Sequence, residues 1–270
     1  MGYISEADDE EGDVIEMIIR EQAQHFIMIE QHEHARLSGE IASRLLPELF
    51  IRDTYKKDVL YAIYEHDRAW IRVDEVPIWN DKEKKPYYFV NYPYPVKLRM
   101  YQTGIEEVEE HNSYAAYLVS RHFTHFPDIQ NGTDEFSISF CEEEEHRQQR
   151  LRQQAAPQEA EVVDQHYRLL QFCDDLSLYV CMNEPGVSKQ DEHPWFKNGL
   201  SQVSAADTDE PSIQAKWLDS QTVQVTPSPF ATPFQAQLSY KKVSKEWIDE
   251  KGLNDAYTQT PETKQTLHFK

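Results

Sequence analysis

The chain has 270 residues, 39% of them hydrophobic, with 15 Tyr and 12 Phe, which is enough apolar material for a sizeable core in one large domain or two small ones. Its formal net charge of -21 excludes a protein that grips nucleic acid through an extended basic surface. A small phosphorylated ligand stays compatible with that charge, because a bound cation supplies positive charge locally.

Cys141, Cys173 and Cys181 have no CxxC spacing. They read as free thiols in a reducing compartment. No apolar run reaches the roughly 20 residues of a membrane span, and the acidic start predicts no secretory signal. The expected location is therefore cytoplasmic, with no membrane partner. The oligomeric state stays open, a homodimer included.

Residues 1–14 read as an acidic tail. Residues 15–270 read as a single α+β unit, with a helical core over about 30–184 and a β-rich segment over about 210–270. Met17-Ile18-Ile19-Arg20 and His25-Phe26-Ile27-Met28-Ile29 predict a small hairpin. A helix follows through Leu45, with His34, Leu37, Ser38, Ile41 and Leu45 on its inner stripe. His32 lies on the next strip beside Ala35, Arg36 and Gly39. Two His at i and i+2 cannot point the same way, so His34 is favoured as a ligand and His32 is kept as the alternative.

The second helix begins near Asp53 and ends in Ala62-Ile63-Tyr64-Glu65-His66-Asp67-Arg68-Ala69-Trp70. Val59, Ala62, Ile63, His66 and Trp70 share one face. Burying an imidazole and a carboxylate together is costly unless something pairs with both, and one divalent cation would do so. Pro77 to Pro95, rich in Pro, Tyr and Trp, reads as a long ordered loop that either packs on the core or serves as a lid.

A third helix is expected from Gly104 to Phe126, with His111, Tyr114, Leu118, His122 and His125 on one stripe. His122 and His125 have the spacing of a metal-holding pair. His111 stands about 16 Å away along the axis and cannot share their ion. Arg121 could meet a phosphate or a carboxylate, or simply be solvated. A charged amphipathic helix follows, from about Thr133 to Gln154, and a fifth runs from about Glu159 to Met182. Within the fifth, Asp174 and Asp175 interrupt an apolar run, and unpaired buried carboxylates are rare. Strands are expected over Ile213–Trp217, Thr222–Val225, Phe234–Lys241 and Thr266–Phe269. With the N-terminal hairpin they would make one small antiparallel sheet.

The Gln31-His32-x-His34-Ala35-x-x-Ser38-Gly39 start, the His66-Asp67-x-x-Trp70 segment and the Asp174-Asp175-Leu176-Ser177-Leu178 helix resemble an uncharacterised bacterial family over about residues 15–200. The donor order is similar to that of HD-domain metal-dependent phosphohydrolases. Cys173-Asp174-Asp175-Leu176 also looks like the Ala-Asp-x-Leu pattern around that family's last Asp.

What this resemblance implies is a mainly α fold with added β, built on an HD-like bundle. The implied metal ligands are His34 (or His32), His66, Asp67 and Asp174, holding a divalent ion such as Mn, Fe, Ni, Zn or Mg. The implied activity is metal-assisted hydrolysis of a small phosphorylated compound or nucleotide. His122, His125 and Arg121 would assist, and Arg147 is a further candidate anion binder. A non-catalytic ligand- or metal-binding protein, and a structural or interaction protein, are the rival expectations.

Overall fold

The structure is a computed structural model that describes residues 17–88, 93–203 and 212–270. The acidic tail expected over residues 1–14 lies outside the described residues. The strands are β1 (Ile18–Glu21), β2 (His25–Ile29), β3 (Trp79–Asn80), β4 (Lys85–Pro86), β5 (Gln214–Trp217), β6 (Thr222–Thr226), β7 (Phe234–Ser244) and β8 (Glu262–Phe269). The helices are α1 (Gln31–Ala42), α2 (Lys56–Glu65), α3 (Ile71–Asp74), α4 (Tyr94–Glu109), α5 (Ser113–Thr124), α6 (Pro127–Gln130), α7 (Glu135–Ala155), α8 (Ala160–Met182), α9 (Lys245–Lys251) and α10 (Leu253–Gln259).

The fold is mainly α with added β, as the sequence pattern predicts. Six strands form one sheet in the order β1-β2-β7-β8-β6-β5, and β3 and β4 form a separate hairpin. The N-terminal hairpin joins the C-terminal strands through β2 and β7, with Phe26 opposite Val243. The expectation of a purely antiparallel sheet is corrected at one pair: β6 runs parallel to β8.

The buried run in β2 reflects a strand covered on both sides. Ile27 and Ile29 enter the main core with the helices. Phe26 and Met28 point the other way into a smaller cluster with Ile248, Leu253 and Tyr257 of α9 and α10. Period-2 alternation of the pleat produces this division. On the helical side, α1 lies against α2, α8 and β7, and α5 lies against α2, α4, α7 and α8.

The helix expected over Gly104–Phe126 is two helices. The chain leaves α4 at Glu109 and restarts at Ser113, where the Asn112 side chain accepts from the Ala115 amide at 2.8 Å. An Asn at this position caps a new helix rather than continuing an old one. The helix before the break starts ten residues earlier than expected, at Tyr94, with Pro95 in its first turn. Proline is tolerated there because first-turn amides have no intrahelical acceptor.

The loop read over Pro77 to Pro95 is in part the β3–β4 hairpin, whose Trp79 sits edge-on to Phe26 at 6.3 Å between ring centres. Among the described residues, no helix is long and apolar enough to cross a membrane.

Candidate metal centre

Four helices bring five polar side chains to one buried point. His34 comes from α1, His66 and Asp67 follow the last turn of α2, His122 comes from α5 and Asp174 from α8. All five are buried, His66 completely. His34 Nε2 stands 3.0 Å from Asp174 Oδ1 and 3.4 Å from Asp67 Oδ2. His66 Nε2 stands 3.3 Å and 3.6 Å from the same two oxygens. The two imidazole Nε2 atoms are 3.2 Å apart. His122 Nε2 approaches the other Asp174 oxygen, Oδ2, at 3.6 Å.

The far sides of the rings are held by the fold. His66 Nδ1–H donates to the Ile63 carbonyl at 2.8 Å, so that Nε2, once it gives up its proton, faces the centre as a ligand. Around His34, Ser38 Oγ–H reaches the His34 carbonyl at 3.2 Å and Ser177 Oγ–H the Asp174 carbonyl at 2.9 Å. The two hydroxyls also lie 2.6 Å apart, and Ser177 Oγ lies 2.6 Å from His34 Nδ1. When His34 Nδ1–H donates to Ser177, Nε2 faces the centre bare, the tautomer a metal ligand requires. Backbone carbonyls and hydroxyls that fix the outer nitrogen in this way are characteristic of metal-ligating histidines.

Electrostatics follow the same geometry. Burial pulls the His66 imidazole down, but Asp67 and Asp174 outweigh it and hold it up at about 9. Burial pushes Asp174 up, and its hydrogen bonds to His34 and His66 overcome that and hold it well below the usual carboxylate range. Asp67 is raised by burial, against the pull of both His. Burial drives His122 down to about 3, so it is uncharged at neutral pH. Asp175, raised to about 6 by burial and the neighbouring Asp174 charge, accepts from the Ser201 amide at 2.8 Å.

The donor set fits a cation. Two imidazole nitrogens sharing one ion at ~2.0–2.1 Å stand roughly 2.8–3.4 Å apart for coordination angles between octahedral and tetrahedral. The observed 3.2 Å lies in that interval. His34, His66 and Asp67 form one group of suitably spaced donor atoms, and His66, His122 and Asp174 a second that shares His66.

A cavity of about 490 Å³ lies against the centre and reaches His34, Asp67, His122 and Asp174. Trp70, Tyr101, Phe126 and Leu178 supply apolar walls, and Trp195 and Phe196 stand on the loop after α8. Lys97 of α4 also faces it. Only 3% exposed, its ammonium pairs with Asp128 Oδ2 at 3.2 Å. Gln31, at the start of α1, is among the lining residues; its side-chain Oε1 is buried and has no hydrogen-bond partner among the described residues. An orphaned buried acceptor costs ~1–3 kcal/mol.

The structure therefore brings together His34, His66, Asp67, Asp174 and His122. His34 rather than His32 reaches Asp174; His32 is half-buried beside the centre, and its Nδ1 has no partner among the described residues. The expected catalytic roles of His125 and Arg121 are not supported by their placement. Helix α5 ends at Thr124, and His125 turns its Nδ1 to the Arg121 carbonyl at 2.7 Å while its exposed ring packs on Tyr167. Arg121 lies over the Tyr167 ring and pairs with Asp164 at 3.0 Å. Arg147 is bound to Glu144, Glu106 and Glu109 rather than to the cavity. His111 sits exposed past the end of α4. None of residues 77–88 and 93–95 lines the cavity, and residues 89–92 of the same stretch lie outside the described residues; Trp195 and Phe196 line it from the loop after α8.

Lys97, Gln31, Ser38 and Ser177 were not assigned roles from the sequence. Lys97 had a legible signal: it heads the stripe Lys97, Tyr101, Gly104, Val108, where a lone Lys on an apolar face needs a partner.

A family model described as protein of unknown function (DUF3891) matches residues 17–245. A search of the curated proteins finds no match, and neither does a search of the solved structures.

Proposed function

Starting from a chain that belongs to the family described as protein of unknown function (DUF3891), we propose that it is a metal-dependent hydrolase of a small phosphorylated compound. The observation that carries this reading is the convergence of His34, His66, Asp67 and Asp174 beside a cavity that also holds a buried lysine. The order of these donors along the chain, which is similar to that of HD-domain phosphohydrolases, supports the same reading.

The four side chains would hold one divalent cation. Two imidazoles favour Mn, Fe, Ni or Zn over Mg. When bound, the ion supplies Lewis acidity and a water made nucleophilic at neutral pH. Asp174 keeps its charge through its contacts with His34 and His66 and so remains an anionic donor. Lys97, across the cavity, offers an ammonium to a phosphate oxygen, exchanging it for Asp128. His122, neutral through burial, serves at Nε2 as a ligand or a hydrogen-bonding group toward substrate. The aromatic walls limit water access to the reacting phosphate. A purely structural cluster would leave the cavity beside it without explanation.

Elemental analysis of purified protein, followed by a phosphomonoester panel with and without added Mn, tests the reading. Bound transition metal and chelator-sensitive turnover that Asp174→Asn abolishes is the expected result. Protein that takes up no metal, with a melting temperature indifferent to chelator, would reject it.

A further inference from the structure

We infer that the cavity takes a phosphomonoester whose alcohol carries an apolar aromatic ring, and that Trp195 is the residue that selects it. This rests on the hydrolase reading and adds a substrate class and a specificity residue to it.

The cavity lining divides into a polar floor and an apolar rim. On the floor, His34, Asp67, His122, Asp174 and Lys97 are each no more than 8% exposed. On the rim, Phe126 and Leu178 are half-buried and Trp195 is 50% exposed. These three side chains keep apolar surface that a ligand can reach and cover. A large exposed aromatic beside a cavity marks a contact surface rather than a packing residue.

The rim begins at the centre itself. Phe126 stands edge-on to the His122 ring at 4.8 Å between ring centres. Two residues further on, Asp128 holds the Lys97 ammonium. Leu178 lies one turn beyond Asp174 on α8, about 6 Å along the axis and on the same face. A phosphate drawn to the floor by the cation and Lys97 therefore has Phe126 and Leu178 beside its ester group. Trp195 closes the rim from the loop after α8, and its turn is anchored. The His193 amide donates to Asn183 Oδ1 at 2.7 Å, and the buried Phe196 ring stands edge-on to Tyr179 at 5.4 Å. The His193 ring braces the indole edge-on at 5.2 Å.

This surface decides the alcohol. Phe126, Leu178 and Trp195 reward covered apolar area, and aromatic faces reward a ring above an aliphatic group of equal size. None of the three side chains offers an acceptor, so the hydroxyls of a polyol or the N–H groups of a base would lose water there without replacement.

The test compares benzyl phosphate with cyclohexylmethyl and n-propyl phosphate, all esters of primary alcohols with similar intrinsic reactivity. Values of kcat/KM are measured on Mn-loaded wild type, Trp195→Ala and Trp195→Phe. Calorimetry with phenethylphosphonate and n-butylphosphonate, whose C–P bonds resist hydrolysis, reads binding alone. Orthophosphate binding reports the cation centre in each variant. The wild type should favour the benzyl ester over the n-propyl ester at least tenfold and over the cyclohexylmethyl ester at least threefold. Trp195→Ala should cut the first ratio at least fivefold, and Trp195→Phe should retain most of it. A wild-type ratio near one, a cyclohexylmethyl ester used as well as the benzyl ester, or a preference that survives Trp195→Ala overturns the inference. So does a nucleoside monophosphate preferred over benzyl phosphate. Loss of orthophosphate binding in Trp195→Ala overturns it too, since Trp195 would then support the centre rather than read the ring. Selective binding without turnover upholds the selectivity and rejects the hydrolase. Turnover without selectivity does the reverse, and absence of both binding and turnover overturns both.

Discussion

His34 and His66 point their Nε2 atoms at each other across 3.2 Å, in a space where neither imidazole can satisfy the other if both are unprotonated. Without a cation, a proton on His66 held by Asp67 and Asp174 resolves the conflict. A buried ion pair of this kind loses heavily when one partner is removed. Asp174→Asn should therefore destabilise the metal-free protein by about 3–5 kcal/mol, read by urea denaturation, and should also abolish metal-induced stabilisation. In the wild type, metal at 100 times its Kd should add about 2.7 kcal/mol, reversed by chelator.

Ser177 holds the outer nitrogen of His34 at 2.6 Å and is itself anchored on the Asp174 carbonyl. Its loss frees the ring to change tautomer. Ser177→Ala should weaken metal binding about 10–100-fold, with a much smaller effect on melting of the metal-free chain. Competition against a chelator of known affinity reads the first, and calorimetry the second. An affinity equal to that of wild type would remove Ser177 from the ligand-orienting set.

Gly104 on α4 lies where an added Cβ would meet the backbone N and Cα of Ala69 at 2.7 Å. Ala69 is two residues beyond Asp67, so α4 can rest on the end of the His-Asp segment only without a side chain there. Gly104→Ala should cost about 1–3 kcal/mol through overpacking and should lower metal affinity by displacing Asp67. Denaturation curves together with metal titration test both parts. A Gly104→Ala chain with wild-type stability would mean that the contact relaxes freely.

Asp74 accepts the first amide of α1 from a neighbouring helix, and burial raises its carboxyl well above the ordinary value. The folded state thus holds the proton more tightly than the unfolded chain. The contribution of this group is fully present below about pH 4 and is lost as pH rises toward the raised value, since the folded state then binds more protons than the unfolded one. Asp74→Asn keeps an acceptor and removes the titration. Its stability relative to wild type should improve as pH increases from about 4 toward neutrality, and Asp74→Ala, which also lacks the titrating group, should lie about 1 kcal/mol below Asp74→Asn across that interval through the lost acceptor. Unfolding free energies measured at several pH values decide the matter.

Most of the element order was legible, because α8 and β2 are long apolar runs and α1 and α2 have clear inner stripes. His66, Asp67 and Asp174 stood out for one physical reason: a charge inside an apolar pattern must be compensated. The same reasoning overreached at His125. Its amide still closes the last helical turn, but its exposed ring turns back to the Arg121 carbonyl and packs on Tyr167, away from His122's partners. Asn112 hid a break for the converse reason, since local capping outweighed an apolar stripe that ran through it. Helices α9 and α10 are two-turn elements whose apolar residues, Ile248, Leu253, Ala256 and Tyr257, gain meaning only against the far face of β2. The parallel pairing of β6 with β8 is a tertiary fact with no local signature.

Strand β2 is synthesised early, yet its partner in the sheet is β7, on the far side of all the bundle helices, with His25 opposite Ser244. Until β7 leaves the ribosome, one edge of the hairpin stays unpaired and Phe26 and Met28 lack the cover of α9 and α10. Such an edge invites pairing with other chains, and closing so long a loop slows productive folding. Expression of fragments that stop before β7 should therefore yield aggregates even though they contain every residue of the histidine–aspartate cluster.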